Sequence, residues 1–404
     1  MWRASKTTPY HLVMVQRGEP IDVSPAVLVW TRRSIGLEPG EAADVAGVSP
    51  GDLDAWESGA SAPGLGDLTV LAHAYHRPLA ALLLPEPPER DEAVVDFRSH
   101  RGYRPPRMSP GLHRGIRHAR RQQRIATELA GALRIDGPRL AERVSDLPDP
   151  AVMAARERDA LGISPEGQAG WAHDYAALAA WRRAVEDRGV VVLQLTLPRD
   201  EVRGFSIAGP GVPAIALAAA DPPAARVFTL LHELGHLLIG GGGLCAPEAI
   251  LRSAAGAETV ERFCNRFAGH VAVTSDALAR HPAAHRIASM NAVPDNRDFS
   301  PLRAAFRVSN QVIWYRLHEV GMVTGRRYDE LWRVWSRAAT TATEGGGAGR
   351  PRARRSLDVN GARFVGMVLE AEERGEITYA DALDYLSIQA RDWTELTALV
   401  GGIA

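Results

Sequence analysis

The sequence predicts an α+β chain that is mostly helical, with an N-terminal bundle of short helices ahead of a domain that holds a small sheet and one buried helix. Three observations carry this. From Val23 to about Leu84, short apolar-periodic segments alternate with Gly/Pro turns. Three short apolar runs, at 189–195, 203–207 and 213–218, read as strands. The segment 227–239 that follows is apolar at almost every position, yet contains His232-Glu233-Leu234-Gly235-His236.

Taken in order, residues 1–21 are polar and unpatterned and read as a loosely docked arm. A first helix is expected over 25–36 and a second over 38–46, ended by Gly47. Ser49 is a helix-capping residue with Pro50 at the first helical position, and it opens a third helix through Leu53, Ala55, Trp56 and Glu57. Pro85-Glu86-Pro87-Pro88 closes this unit, assigned to 22–88. Residues 95–165 read as a helical basic connector. Between Phe97 and Thr127 there are nine arginines and no acid, and Arg114, Arg117, Arg121 and Arg124 share a helical face with Arg120 beside it. That face suits nucleic-acid phosphates, an acidic protein surface, or plain solvation. Residues 128–185 are alanine-rich and helical in pattern. A domain is assigned to 166–335, and the edge of its three-stranded sheet is a place where an extended peptide can add by backbone pairing. Residues 341–355, with a Gly triplet and Arg-Pro-Arg, read as a flexible linker. Residues 356–404 form a helical segment with Phe364, Val368, Leu369 and Ala371 apolar and Gly375 as its stop.

On a helix His232 and His236 lie one turn apart on one face. Two imidazoles so placed can hold one zinc ion, with Glu233 beside them as general base for a metal-bound water. Catalytic zinc needs a third protein ligand and one open position. Val260, Phe263, Cys264, Phe267, Ala268 and Val271 follow helical spacing, which places Glu261 one turn before Asn265 on a second helix. Spacing leaves Glu258, His270 and Glu248 open as alternatives to Glu261. Asn265 is expected to support a ligand and Cys264 to pack. Cys245 lies in the loop after the His-Glu-x-x-His helix, with an incidental role favoured over a thiol switch. Tyr175, His173, His270 and Tyr315 are the candidate donors to an oxyanion.

The runs Arg203-Gly204-Phe205-Ser206, Arg226 to His236, and Glu261-Arg262-Phe263-Cys264-Asn265-Arg266-Phe267-Ala268 resemble the ImmA/IrrE family of bacterial metallopeptidases. The resemblance implies a zincin-like domain with Zn2+ as cofactor, and makes Glu261, four residues before the Asn of E-x-x-x-N-x-F-A, the third ligand beside His232 and His236. It also implies a regulatory protease whose substrate is a specific protein, a transcriptional repressor. Trp56-Glu57-Ser58-Gly59, followed by Pro63 and Leu68, resembles the Xre helix-turn-helix family, often found at the N-terminus of such peptidases. The chain departs from many relatives at Ala218-Ala219-Ala220, where they carry an Asn.

Composition sets the remaining bounds. Forty-seven basic against forty-eight acidic side chains give a net charge of −1, with no global attraction to nucleic acid or membrane. Two cysteines exclude a disulfide framework, no leader-like apolar core stands in the first twenty residues, and no run approaches membrane-spanning length, so a cytoplasmic location is expected. Between Asp22 and Arg90 there are four arginines and ten acids, and Asp52, Asp54 and Glu57 stand on the helix that would enter a DNA groove. No DNA-binding residue is therefore assigned. A docking or homodimer role is expected for this unit instead. The rival to the peptidase is a non-enzymatic Xre-type regulator or antitoxin-like protein with a structural or sensory zinc site.

Overall fold

Prolines start the first three helices. α1 (Pro25–Arg33), α2 (Pro39–Ala46) and α3 (Pro50–Ser58) each open on Pro, whose missing N–H has no partner to lose in a first turn. Ser49 Oγ accepts from the Asp52 N–H at 3.0 Å, and Gly47 ends α2 at φ 67°, a left-handed position that glycine takes without strain. α4 (Leu65–Ala74) and α5 (Leu79–Leu82) complete a bundle around Leu28, Ile35, Leu53, Leu68, Leu71, Tyr75 and Leu82. A buried fork holds α1 to α3. Arg32 Nε and Nη2 donate to the two Glu57 carboxylate oxygens at 2.7 and 2.8 Å. Glu57 therefore points inward, and the expected outward acidic face of α3 keeps Asp52 and Asp54 but loses Glu57.

The computed structural model describes residues 19–88, 108–137, 140, 147–240, 244–245, 259–338 and 350–402. These fall into two compact units, one with 19–88 and 108–114, the other with the described residues from 115 onward. The arm as far as residue 18, the arginines at 98–107, Glu248, Glu258 and the linker at 341–349 lie outside the described residues.

The second unit is a mostly helical α+β body. α6 (Pro110–Ala132) supplies it from Gly115 on. α7 (Pro150–Ala160), α8 (Pro165–Ala169) and α9 (Asp174–Asp187) follow, then β1 (Val191–Leu195), β2 (Gly204–Ile207), β3 (Ala214–Ala218) and α10 (Pro223–Leu238). A two-residue strand β4 (Leu244–Cys245) and α11 (Thr259–Ala272) come next. α12 (Ser275–Arg280), α13 (Pro282–Ser289), α14 (Ser300–Phe306), α15 (Asn310–Glu319) and α16 (Gly325–Ala338) pack beyond it. α17 (Arg352–Glu373), α18 (Tyr379–Leu386) and α19 (Trp393–Gly401) end the chain. The sheet order is β1-β3-β2-β4, with β1 parallel to β3 and the other pairs antiparallel. Three of these strands were expected. β4 was not, because two residues carry no periodic signal. It pairs with Gly204 and Phe205, so the edge expected to be open for a peptide is already partly occupied along β2.

The C-terminal helices are integral to this unit. α17 starts at Arg352, inside the stretch read as a linker, and packs on β1. Within it Gly361 stands at φ 85° and ψ 158°, breaking the helix in two. The break lets the chain lie directly on a buried ion pair of α9. Arg182 Nε donates to Glu186 Oε1 at 3.0 Å, Arg182 Nη1 donates to the Asp358 carbonyl at 2.7 Å, and Glu186 Oε2 accepts from the Arg363 N–H at 3.3 Å. Burial disfavours the charge on both partners, raising the Glu186 pKa and lowering that of Arg182. The pair is tolerated because backbone groups of α17 complete its hydrogen bonds. From α6, Gln122 donates to Asn360 Oδ1 at 2.8 Å, and Arg121 pairs with Asp384 at 2.7 Å. Part of the basic face of α6 is thus spent inside the chain, against α18.

A Cβ at Gly361 would collide with Glu186 Oε1 and sit 2.9 Å from the Val192 carbonyl oxygen, on a backbone that L side chains avoid. Gly361→Ala is expected to cost more than about 3 kcal/mol. Thermal unfolding should show this as a midpoint lowered by about 5 °C or more. An unchanged midpoint would mean that α17 does not seat on the α9 pair as described.

Candidate metal centre

The site is built where α10 crosses α11. α10 is apolar on all sides and is buried from Arg226 to Leu238, so its few polar side chains must find partners inside the protein. His232, Glu233 and His236 are all fully buried. Gly235 makes the crossing close. A Cβ there would stand 3.0 Å from the Phe267 ring and 3.4 Å from Cys264 Sγ. Cys264 is a buried free thiol in this packing seam, and burial pushes its pKa well up.

Close approach brings Glu261 from the first turn of α11 onto the two histidines. His232 Nε2 lies 3.2 Å from Glu261 Oε2, His236 Nε2 lies 3.2 Å from Glu261 Oε1, and the two Nε2 atoms are 3.1 Å apart. Tetrahedral zinc with ligands at 2.0–2.1 Å sets its donor atoms about 3.3 Å from one another. The two imidazole nitrogens stand close to that spacing, and each lies at a similar distance from one oxygen of the Glu261 carboxylate, so the group can converge on one ion. Among the described residues, this is the group of His, Cys, Asp and Glu side chains able to hold a metal. Burial pushes the Glu261 pKa up, but its hydrogen bonds and charge interactions with His232 and His236 prevail and hold it well below the usual carboxylate range. An ionised carboxylate is the form that binds a metal.

Asn265, one turn after Glu261, has Oδ1 3.0 Å from His232 Nδ1. An N–H at Nδ1 then leaves Nε2 as the lone-pair nitrogen facing the cluster. α11 is fixed at its other end by side chains that satisfy its last carbonyls. Arg158 donates to the Val271 carbonyl, Gln168 to Ala272 O at 2.9 Å, and Arg316 to Val273 O just past the helix at 3.0 Å.

Ser206 is the residue that sequence reasoning missed. Its hydroxyl donates to Glu233 Oε2 at 2.7 Å, and both side chains are fully buried. Strand and helix periods explain the meeting. Gly204 and Ser206 share one face of β2. Gly204 packs on Thr229, where a Cβ would stand 2.5 Å from Cγ2, and Ser206 meets Glu233 one turn along α10. A step of two strand residues is about 6.6 Å and one of four helix residues about 6 Å, so the contacts stay in phase. The usable signal was a lone hydroxyl two residues after a glycine in a strand ahead of an apolar helix. Burial raises the Glu233 pKa to about 7, with Glu261 adding to it and His236 and Ser206 opposing.

Of the other candidates, His270 and His173 have partners outside the cluster. His270 lies 3.2 Å from Arg316 Nη1 and 3.5 Å from Glu319 Oε1. His173 accepts from the Ala176 N–H at 3.1 Å and caps α9. Tyr175 is exposed, with the Arg226 guanidinium 5.9 Å from its ring. The Tyr315 ring abuts Gly269, and burial pushes its pKa up. The side chain of Cys245 lies outside the description, as do Glu248 and Glu258.

The geometry predicts that Glu261→Ala loses a bound divalent ion on metal analysis while Glu258→Ala keeps it. Asn265→Ala should keep the ion with about 10- to 100-fold weaker affinity. Retention by Glu261→Ala with loss by Glu258→Ala would reverse the ligand assignment.

Comparison with known proteins places this geometry. Residues 185–318 match the IrrE N-terminal-like domain, Peptidase_M78, and the match spans β1 to α15 with every residue of the site inside it. No curated protein and no solved structure matches the chain. Among the described residues, no helix is long and apolar enough to cross a membrane. Over residues 185–318 this chain is thus similar to the IrrE N-terminal-like metallopeptidase domain.

Proposed function

We propose that this chain is a regulatory zinc-dependent endopeptidase that cleaves a specific partner protein, an Xre-type transcriptional repressor. The observation that carries the reading is Glu233. It is a fully buried carboxylate beside three converging ligand atoms, and its Oε1 has no hydrogen-bond partner among the described residues. Zinc held by His232, His236 and Glu261 would supply a water of lowered pKa and polarise a peptide carbonyl. Glu233 accepts the proton of the attacking water and returns it to the leaving amine. A structural or sensory zinc site has no use for such a base, which weighs against the non-enzymatic regulator.

The N-terminal unit fits the same reading as a docking module for the partner or for a second copy of the chain. Among its arginines, Arg32 is bound to Glu57 and Arg77 stands 4.6 Å from the Trp30 ring centroid, while Asp54 is exposed on α3. Phosphates would meet few available cations there. Sequence-specific retardation of promoter DNA by the full chain at physiological salt, lost on Asp54→Ala, would overturn this part.

Glu233→Gln should keep the metal and the fold and abolish cleavage, because an amide cannot take the proton. Cells expressing wild type should accumulate new protein N-termini from one or a few substrates, and cells expressing Glu233→Gln should not. Identical N-terminal profiles would contradict the peptidase reading.

A further inference from the structure

The carboxylate of Glu233 reaches the site from inside the protein, on a helix with no solvent-facing side at that point. A buried glutamate has rotamers to choose from, and a general base works only when one oxygen faces the reacting water. In this chain the choice is made from β2. Ser206 Oγ donates to Oε2 at 2.7 Å, and Oε1 is left without a hydrogen-bond partner among the described residues. A buried oxygen left open in this way implies a further polar occupant at that position. We infer that Ser206 is a positioning residue of the peptidase, holding Glu233 through Oε2 so that Oε1 alone faces the attacking water. This deepens the endopeptidase reading and rests on it for its catalytic part.

The register of the sheet against α10 makes the arrangement specific. Ser206 pairs with Ile215 of β3, so its height is fixed by the antiparallel ladder. Gly204, two residues earlier, lets β2 come down on Thr229. Beyond Ser206, the Ile207 carbonyl accepts from Gln123 Nε2 of α6 at 3.4 Å, and the Val212 N–H of the β2–β3 turn donates to Thr127 Oγ1 at 3.1 Å. The strand that carries the hydroxyl is held at both ends, as a positioning device requires. A threonine at 206 retains the hydroxyl and suits a strand; an alanine removes it and leaves Oε2 buried without this donor.

The test compares Ser206→Ala and Ser206→Thr with wild type, first in metal-free crystals and then in cells. In metal-free crystals wild type and Ser206→Thr should show Glu233 in one orientation, and Ser206→Ala should show it turned or split between two. All three should take up one zinc per chain. The yield of wild-type-dependent new N-termini should fall about tenfold or more in Ser206→Ala and return in Ser206→Thr. An unmoved Glu233 in Ser206→Ala, or a full yield of new N-termini from it, overturns the positioning role. A Glu233 that loses its orientation in Ser206→Ala while wild type generates no new N-termini keeps the positioning and removes the peptidase reading. The two failures are therefore distinguishable.

Discussion

The close crossing of α10 and α11 at Gly235 is the constraint on which the rest of the site depends. Two histidines one turn apart on α10 offer two nitrogen donors and nothing more. A third donor must come from another element, and a glutamate is long enough to supply it only if its helix lies close. Gly235 allows that approach by presenting hydrogen where Phe267 and Cys264 press in. The same crossing puts Asn265 3.0 Å from His232 Nδ1, so one glycine allows the approach of both Glu261 and the amide bonded to the first imidazole. Close packing of this kind is unforgiving, because an interior at crystal-like density has no slack for an added methyl.

The surrounding structure can be understood as holding that crossing still. Arg158 and Gln168 bind carbonyls at the end of α11, and Arg316 of α15 binds Val273 O just beyond. The sheet approaches from the other side and delivers Ser206 onto Glu233. Behind the sheet, α17 folds over the Arg182–Glu186 pair at Gly361, tying the C-terminal helices to β1. A buried ion pair is a costly contact, and here each partner is completed by backbone groups of α17. The C-terminal segment is therefore part of the body that carries the site.

Much of the site was legible in the sequence because it obeys short-range rules. His232 and His236 follow helical spacing, and the E-x-x-x-N-x-F-A run offered Glu261 and Asn265 as neighbours on a second helix. Spacing alone left Glu258 and His270 open; the resemblance chose Glu261, and the fold places Glu261 on the histidines while His270 turns to Arg316 and Glu319. The three main strands and the capping by Ser49 were legible for the same local reasons. What was not legible depends on distant partners. Ser206 acquires a role only when β2 lies on α10. Glu57 looked like an outward acid until Arg32 of α1 met it. The helix from Arg352 was hidden by Arg-Pro-Arg after a glycine tract, since composition marks a linker and cannot show the ion pair on which α17 settles.

Two imidazoles and one carboxylate, drawn together by this crossing, are proposed to form a catalytic metal site. X-ray absorption at the zinc edge of the zinc-loaded full-length chain tests it most directly. The expected first shell has two histidine nitrogens with oxygen donors and no sulfur. A shell containing sulfur, or a third imidazole, would contradict it, because Cys264 and His270 are placed in the packing seam and in the Arg316–Glu319 cluster.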